Sequence, residues 1–345
     1  MRWSYNRERS RSVAAWLYVV ALLIVAMVVV GGATRMTGSG LSITQWRPIS
    51  GALPPLSAHA WAEEFARYQH IPQFRYVNPT MTLAEFKGIY GWEWTHRLLG
   101  RLIGLVFFVP LVVFLALKRV PRRLVWRCWL LLGLGALQGL VGWWMVASGL
   151  TKLLYVAPER LATHLGLALA IYSFAVWSGW EAWSGKPRPV WGVSPAWRVA
   201  CIWLAALISL QILLGALVAG NHAGLVDNDW PLMNGRLFPR DYVHGGLFAT
   251  LLHSQAAVQF NHRILAYGIF LLSGGVALAA LLTRSLPAAV RNPAVALFSA
   301  VCVQVVLGIV TLVAGAPLWL GVIHQLWAVA TLTAALFLVW RAHRT

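Results

Sequence analysis

Four histidines, His96, His164, His262 and His324, each open an otherwise apolar stretch, and an imidazole there can ligate a metal. The clearest pair is HRLLG at 96–100 against HRILA at 262–266. Only one member of that pair has a carboxylate beside it. Glu93 lies three residues before His96, on the same helical face, whereas Gln259 holds the matching place before His262. Ionisable groups in lipid-bound segments mark functional sites. A lone histidine at a helix end is usually a hydrogen-bonded packing residue; four in equivalent places read as ligands.

Two kinds of site would use them. Zinc wants a compact tetrahedron, with ligands within about 2.1 Å of one ion. Two separated axial pairs suit a heme, whose flat macrocycle fits between helices. Gly100 and Ala266, one turn after His96 and His262, would leave room for the ring. Arg97 and Arg263 stand next to the same histidines and are candidates for propionate binding, with interfacial snorkelling as the alternative. Glu93 beside one site alone suggests chemistry there, by proton transfer or by stabilising positive charge. The plainer account of Glu93 is a helix-start acid or an ion pair with Arg97.

The elements that must position these residues are membrane spans. The 345 residues are 59% hydrophobic and 11% charged, with mean hydropathy +0.67. Runs of the roughly 20 apolar residues a crossing helix needs recur eight times. They fall near 13–34, 97–117, 127–147, 161–183, 198–219, 263–283, 294–315 and 319–340. The expected fold is an all-α polytopic membrane protein. The odd spans carry QGLVG (138–142), QILLG (211–215) and QVVLG (304–308), with VVVGG (28–32) in the first, and each even span starts with a histidine. Ordinary helix packing accounts for most of those glycines. The repeat implies two parallel four-helix bundles, residues 1–190 and 191–345.

Net charge is +18, but its placement argues for topology rather than nucleic acid. With the N-terminus cytoplasmic, the inner segments hold most Lys and Arg, among them Arg2, Arg7, Lys118, Arg119, Arg122, Lys186, Arg188 and Arg344, against Glu8 and Glu181 alone of the acids. Both termini are then inside, and all four histidines lie toward the outer face. The basic start with its long apolar run reads as the first span, not a cleaved signal, and the lack of a transit-like segment favours a bacterial plasma membrane. Cys128, Cys201 and Cys302 form no outer-loop pair, so neither a disulfide there nor thiol chemistry is expected. The long outer loops, 36–95 and 220–261, carry Trp46, Trp61, Trp92, Trp94 and Trp230 and suit a cap, with a helical lid near 57–69. The remaining histidines (His59, His70, His222, His244, His253 and His343) read as solvated and incidental.

At these residues the chain closely resembles the heme A synthase family of the aerobic cytochrome oxidase pathway. The stretches are GGATRMTGSGLSITQWRPISGALPP (31–55), EWTHRLLGRLIG (93–104), LQGLVGWWMVASGL (137–150), GALVAGNHAGLVDNDWPLMNGRLFP (215–239), FNHRILAY (260–267) and LGIVTLVAGAPLWLGVIHQ (307–325). It is similar to the branch without outer-loop cysteine pairs. The resemblance implies oxidation of a methyl group of heme O to a formyl group, by two hydroxylations and loss of water. It makes His262 and His324 the axial ligands of a heme b cofactor, His96 and His164 those of the heme O substrate, and Glu93 the acid beside the reacting site. Implied partners are heme O, an electron-transfer partner, a heme O synthase, cytochrome oxidase assembly factors, the lipid bilayer and a second copy of the chain in a homo-oligomer. Two other readings are a diheme cytochrome b and a heme transporter or chaperone. The first usually places hemes at opposite faces; the second needs no asymmetric carboxylate.

Overall fold

The computed structural model describes residues 9–185 and 192–343. Arg2, Arg7, Glu8, Lys186, Arg188 and Arg344, used above to set topology, lie outside the described residues, as does the expected division between 190 and 191. Among the described residues eleven α-helices run in order: α1 Arg11–Met36, α2 Ala58–Gln69, α3 Pro72–Tyr76, α4 Leu83–Ala116, α5 Arg122–Gly149, α6 Pro158–Ser184, α7 Pro195–Gly220, α8 Leu247–His253, α9 Gln255–Leu282, α10 Ala288–Val313 and α11 Leu318–His343. Eight of these, all but α2, α3 and α8, are long and apolar enough to cross a membrane. No strand occurs among the described residues, only an isolated bridge between Met233 and Arg236.

Local chemistry sets the helix ends. Pro158 and Pro195 open α6 and α7, where a missing N–H costs nothing. Ser194 and Ser254 cap α7 and α9 through their side chains. The largest departure from expectation is α4, which begins 14 residues before position 97. Its start is a capping box: the Glu85 carboxylate accepts from Thr82 N at 2.7 Å, and Thr82 Oγ1 accepts from Glu85 N at 3.4 Å. At 34 residues α4 is about 50 Å long, more than a bilayer core requires. Its first turns project beyond the apolar span.

That projection carries a folded cap. The helix expected at 57–69 is present as α2, and the stretch 36–95 is far from open loop. Tyr68 and Phe86 are fully buried, their rings 5.3 Å apart, with Phe65 5.1 Å from Phe86 and Trp61 5.0 Å from Tyr90. Gln73 Nε2 donates to Gly38 O at 3.2 Å, joining the cap to the end of α1.

Among the long helices, α1 packs on α4 and α6, α4 on α5, and α5 on α6. In the same way α7 packs on α9 and α11, α9 on α10, and α10 on α11. The contacts of α6 with α7 and of α1 with α11 link the two sets. The main apolar core is concentrated toward the helix ends away from the four histidines. It draws on Leu124, Cys128 and Leu131 of α5, Tyr172 and Ala175 of α6, Leu297 and Val301 of α10, and Leu332 and Leu338 of α11. At the level of the histidines several of the helices bury little. Nothing is buried between Glu93 and Phe107 in α4, between Leu131 and Val146 in α5, or from Pro158 to Ala168 in α6. The same holds after Val301 in α10 and between Leu320 and Val329 in α11. At the other end the buried Glu181 lies 3.1 Å from Arg127 and accepts from Trp177 Nε1 at 3.0 Å.

Candidate functional site

Each of the four histidines sits inside a helix, well beyond its first turn rather than at its mouth: His96 in α4, His164 in α6, His262 in α9 and His324 in α11. Each ring lies against a glycine of the preceding long helix. A Cβ added at Gly31 would come within 3.1 Å of His96 Nε2, at Gly142 within 2.9 Å of His164 Cε1, at Gly215 within 3.2 Å of His262 Cε1 and at Gly308 within 3.0 Å of His324 Cε1. These are the glycines of the repeated sequence, so their missing side chains make room for imidazoles. Gly100 faces the Met27 methyl instead, at 3.5 Å from an added Cβ. The room beside His96 is therefore provided by Gly31.

One turn before three of these glycines stands a glutamine. Gln138 Nε2 donates to the His164 carbonyl at 3.0 Å, Gln211 Nε2 to that of His262 at 2.9 Å, and Gln304 Nε2 to that of His324 at 3.2 Å. The same amide nitrogens lie 3.2, 3.0 and 3.3 Å from the Nδ1 atoms of those rings. The Oε1 atoms of all three glutamines are sealed from solvent without a partner. Sequence reasoning gives these glutamines no role of their own. Their regular Gln-x-x-x-Gly spacing is the signal, but the residue each one faces depends on the register between helices.

The histidines pair rather than converge. His96 and His164 are within electrostatic reach of each other, as are His262 and His324. Among the described residues no three His, Cys, Asp or Glu side chains gather as a metal ion would need, which sets the four histidines apart from a zinc tetrahedron. Two imidazoles within electrostatic reach of each other in each pair suit a flat macrocycle held between them.

Beside each first histidine is a guanidinium clasp. In α4 the Glu93 side chain is 3% exposed and both its oxygens are engaged. Oε2 accepts from Ser42 Oγ and Ile43 N, each at 2.7 Å, and Oε1 from Arg97 Nη2 at 2.6 Å and Nε at 3.1 Å. Arg97 also donates to the carbonyls of Ile43 and Gln45. In α9 the roles are kept with an amide in place of the carboxylate. Arg263 donates to Gln259 Oε1 at 2.8 Å and to the carbonyls of Asp227, Asp229 and Leu232. Gln259 Nε2 donates to the carbonyls of Ala223 and Val226 at 2.6 and 2.7 Å. The first loop presents donors and the second presents acceptors, so Glu in one place and Gln in the other each match their loop. Arg263 Nε alone of its donors is buried without a partner, whereas all three Arg97 nitrogens are engaged.

Of the histidines expected to be solvated, His222 is packed. Its ring stacks on Tyr155 at 4.4 Å, and Arg35 lies over the same tyrosine at 5.4 Å while donating to the carbonyls of Ala219 and Gly220. Burial, with Arg35 close by, pushes the His222 imidazole down to about 4. In the second loop, burial and the neighbouring Asp229 raise the Asp227 carboxyl, while N–H donation from Gly235 and Asn234 lowers that of Asp229. Trp46 packs on Trp143 at 5.7 Å, and Trp230 Nε1 donates to Tyr267 at 3.0 Å, so both loops rest on helices through tryptophan.

The COX15-CtaA family model, described as cytochrome oxidase assembly protein, matches residues 14–336. The chain is 55% identical to the heme A synthase of Caulobacter sp. (strain K31) over 98% of both chains. It is 55% identical to that of Caulobacter vibrioides (strain ATCC 19089 / CIP 103742 / CB 15), again over 98% of both. With the heme A synthase of Maricaulis maris (strain MCS10) the identity is 46%, over 99% of this chain and 98% of the relative.

Proposed function

Because this chain belongs to the COX15-CtaA family of cytochrome oxidase assembly proteins, we propose that it is a heme A synthase, a membrane oxidoreductase that converts the methyl group of heme O to a formyl group. The observation that carries the reading is the fourfold placement of a histidine against a glycine of the preceding long helix, in two pairs.

On this reading the chain works as two parallel four-helix halves. His96 and His164 hold the iron of the substrate heme O, and His262 and His324 hold a heme b cofactor. Heme b supplies one-electron chemistry to the half beside it. Glu93 acts through its charge and not as a proton acceptor, because both its oxygens are already occupied by donors. Fixed one turn before His96, the carboxylate stabilises positive charge that develops as the methyl group is oxidised. It also pins residues 42–43 over the site. Arg97 and Arg263 remain the propionate candidates. Arg263 has a free buried Nε, whereas Arg97 would exchange a loop carbonyl for a carboxylate.

The basic ends of the helices, Arg122, Arg123 and Arg127 of α5 and Arg341 of α11, support an inner-membrane orientation with both termini cytoplasmic and the histidines toward the outer face. An electron-transfer partner, a heme O synthase, cytochrome oxidase assembly factors and a second copy of the chain are its proposed associates.

The test is co-expression with a heme O synthase in a host lacking heme A, followed by pigment extraction and chromatography. Wild type should yield heme A. Glu93→Ala should accumulate heme O or a hydroxylated intermediate, and His262→Ala should lose conversion together with heme b. Heme b alone, unaffected by heme O or by loss of Glu93, would leave a diheme electron-transfer cytochrome in place of a synthase.

A further inference from the structure

Besides Glu93, the first of the four repeat units departs from the others at a second position. Gln138, Gln211 and Gln304 each stand four residues before the glycine that faces a histidine; in the first unit that position, four before Gly31, is Met27. Three histidines thus have a side-chain amide bonded to their own carbonyl and lying at their ring, whereas in the first unit the Met27 methyl packs toward Gly100, one turn after His96. A methionine sulfur is at best a weak acceptor and offers no donor.

A partner that fixes the backbone and ring of a ligating histidine holds it on its metal, and loss of such a partner weakens the site. Gln138, Gln211 and Gln304 each supply such a partner. Each amide nitrogen donates to its histidine's carbonyl at 2.9–3.2 Å and lies 3.0–3.4 Å from both ring nitrogens, so it fixes the residue's backbone and covers the ring. His96 has no equivalent amide.

Resting on the heme A synthase reading, we infer that Gln138, Gln211 and Gln304 are positioning residues that lock three of the four axial histidines, and that Met27 leaves His96 as the exchangeable ligand of the substrate iron. With heme O bound, His96 would be the ligand released, keeping its electron pair on the imidazole, while His164 would stay bound. The heme b pair carries two locks and has no such weak side. The reacting half is therefore distinguished by a missing amide as well as by Glu93.

The experiment uses the full chain, purified with its hemes, and carbon monoxide as the probe of an open axial position on ferrous iron. Rates are read from the Soret shift, and heme identity and content by extraction. Wild type should show one CO-reactive heme population and one that is slow to react. Met27→Gln should slow the reactive population by about tenfold to a hundredfold, the usual reach of a partner behind a metal ligand. Gln138→Met should increase CO reactivity and high-spin character in the N-terminal half. Gln304→Met should make the slow population reactive. If Met27→Gln binds CO as wild type does, with unchanged heme content, the inference is overturned.

Loss of both heme spectra in Met27→Gln would reveal a folding defect. Gln138→Met, an exchange for an apolar side chain of similar length, then decides the matter: faster CO binding supports the inference and an unchanged rate overturns it. A wild-type chain holding no heme on these histidines would remove the synthase reading itself. A heme-loaded chain indifferent to Met27 would remove the lock alone.

Discussion

At the scale of single residues, the informative comparison is Glu93 with Gln259. Both lie four residues before an arginine, both accept from it, and both are buried, yet each is complementary to a different loop. Removing the carboxylate leaves Arg97, the Ser42 hydroxyl and the Ile43 N–H facing a void. Loss of one member of a buried ion pair costs about 3–5 kcal/mol. Glu93→Ala is therefore expected to unfold at clearly lower temperature in detergent as well as to lose activity. Glu93→Gln should fall between the two, because its amide N–H₂ would meet donors at Ser42 or Ile43. A Glu93→Ala chain as stable as wild type would mean that the carboxylate has no structural share. The histidines and Glu93 could be recognised from residue type and spacing. The clasps could not, since their partners come from loops 31–51 residues away in sequence, whose paths no local pattern specifies.

At the scale of elements, hydropathy locates every long helix but places the start of α4 too late. Residues 83–96 mix Lys87, Glu85 and Glu93 with apolar groups, so an apolar-run criterion passes over them. The Thr82-x-x-Glu85 signature is present in the sequence and is what sets the start. Those first turns bear Phe86 and Tyr90, the floor of the cap. Thr82→Ala should cost about 1 kcal/mol. It should speed amide hydrogen exchange at 84–90 and in α2 while leaving α10 and α11 unchanged. Uniform acceleration throughout the chain would show that the cap and the bundle unfold as one unit. The glutamine series is likewise visible as a repeat, and only the packing of α5 on α6, α7 on α9 and α10 on α11 gives each amide a histidine to hold.

At the scale of the whole molecule, a few contacts join helices of the first four spans to those of the last four. Gln325 Nε2 donates to Val28 O at 2.9 Å, Tyr172 and Thr333 share a hydrogen bond of 2.7 Å, and Arg35 closes on the end of α7. Close approach there depends on Gly32 and Gly220, where an added Cβ would collide with Gln325 Oε1 and come within 2.8 Å of Pro158 Cα, respectively. His222 makes the Arg35 joint sensitive to pH. Its imidazole titrates near 6.5 when unfolded and is pushed down to about 4 in the folded chain. Between those values the unfolded state binds the extra proton, so stability falls as pH drops from 6.5 toward 4. The loss should be on the order of 1 kcal/mol after allowance for partial exposure. Thermal unfolding of His222→Phe should lose less on acidification than wild type, and an identical slope would relieve His222 of this role.

The uneven packing along the bundle has a mechanical meaning. Buried residues crowd one end of α4, α5, α6, α10 and α11 and are sparse at the level of the histidines, so the two ends of these helices are held to different degrees. Applied pressure favours whichever state removes internal space. The sparsely buried end would yield before the dense one, and a macrocycle held between the imidazoles would act as a strut there. Hydrostatic pressure thus becomes a gauge of how the two ends differ: the chain softens first at the end that carries the histidines, and a heme bound there would stiffen it.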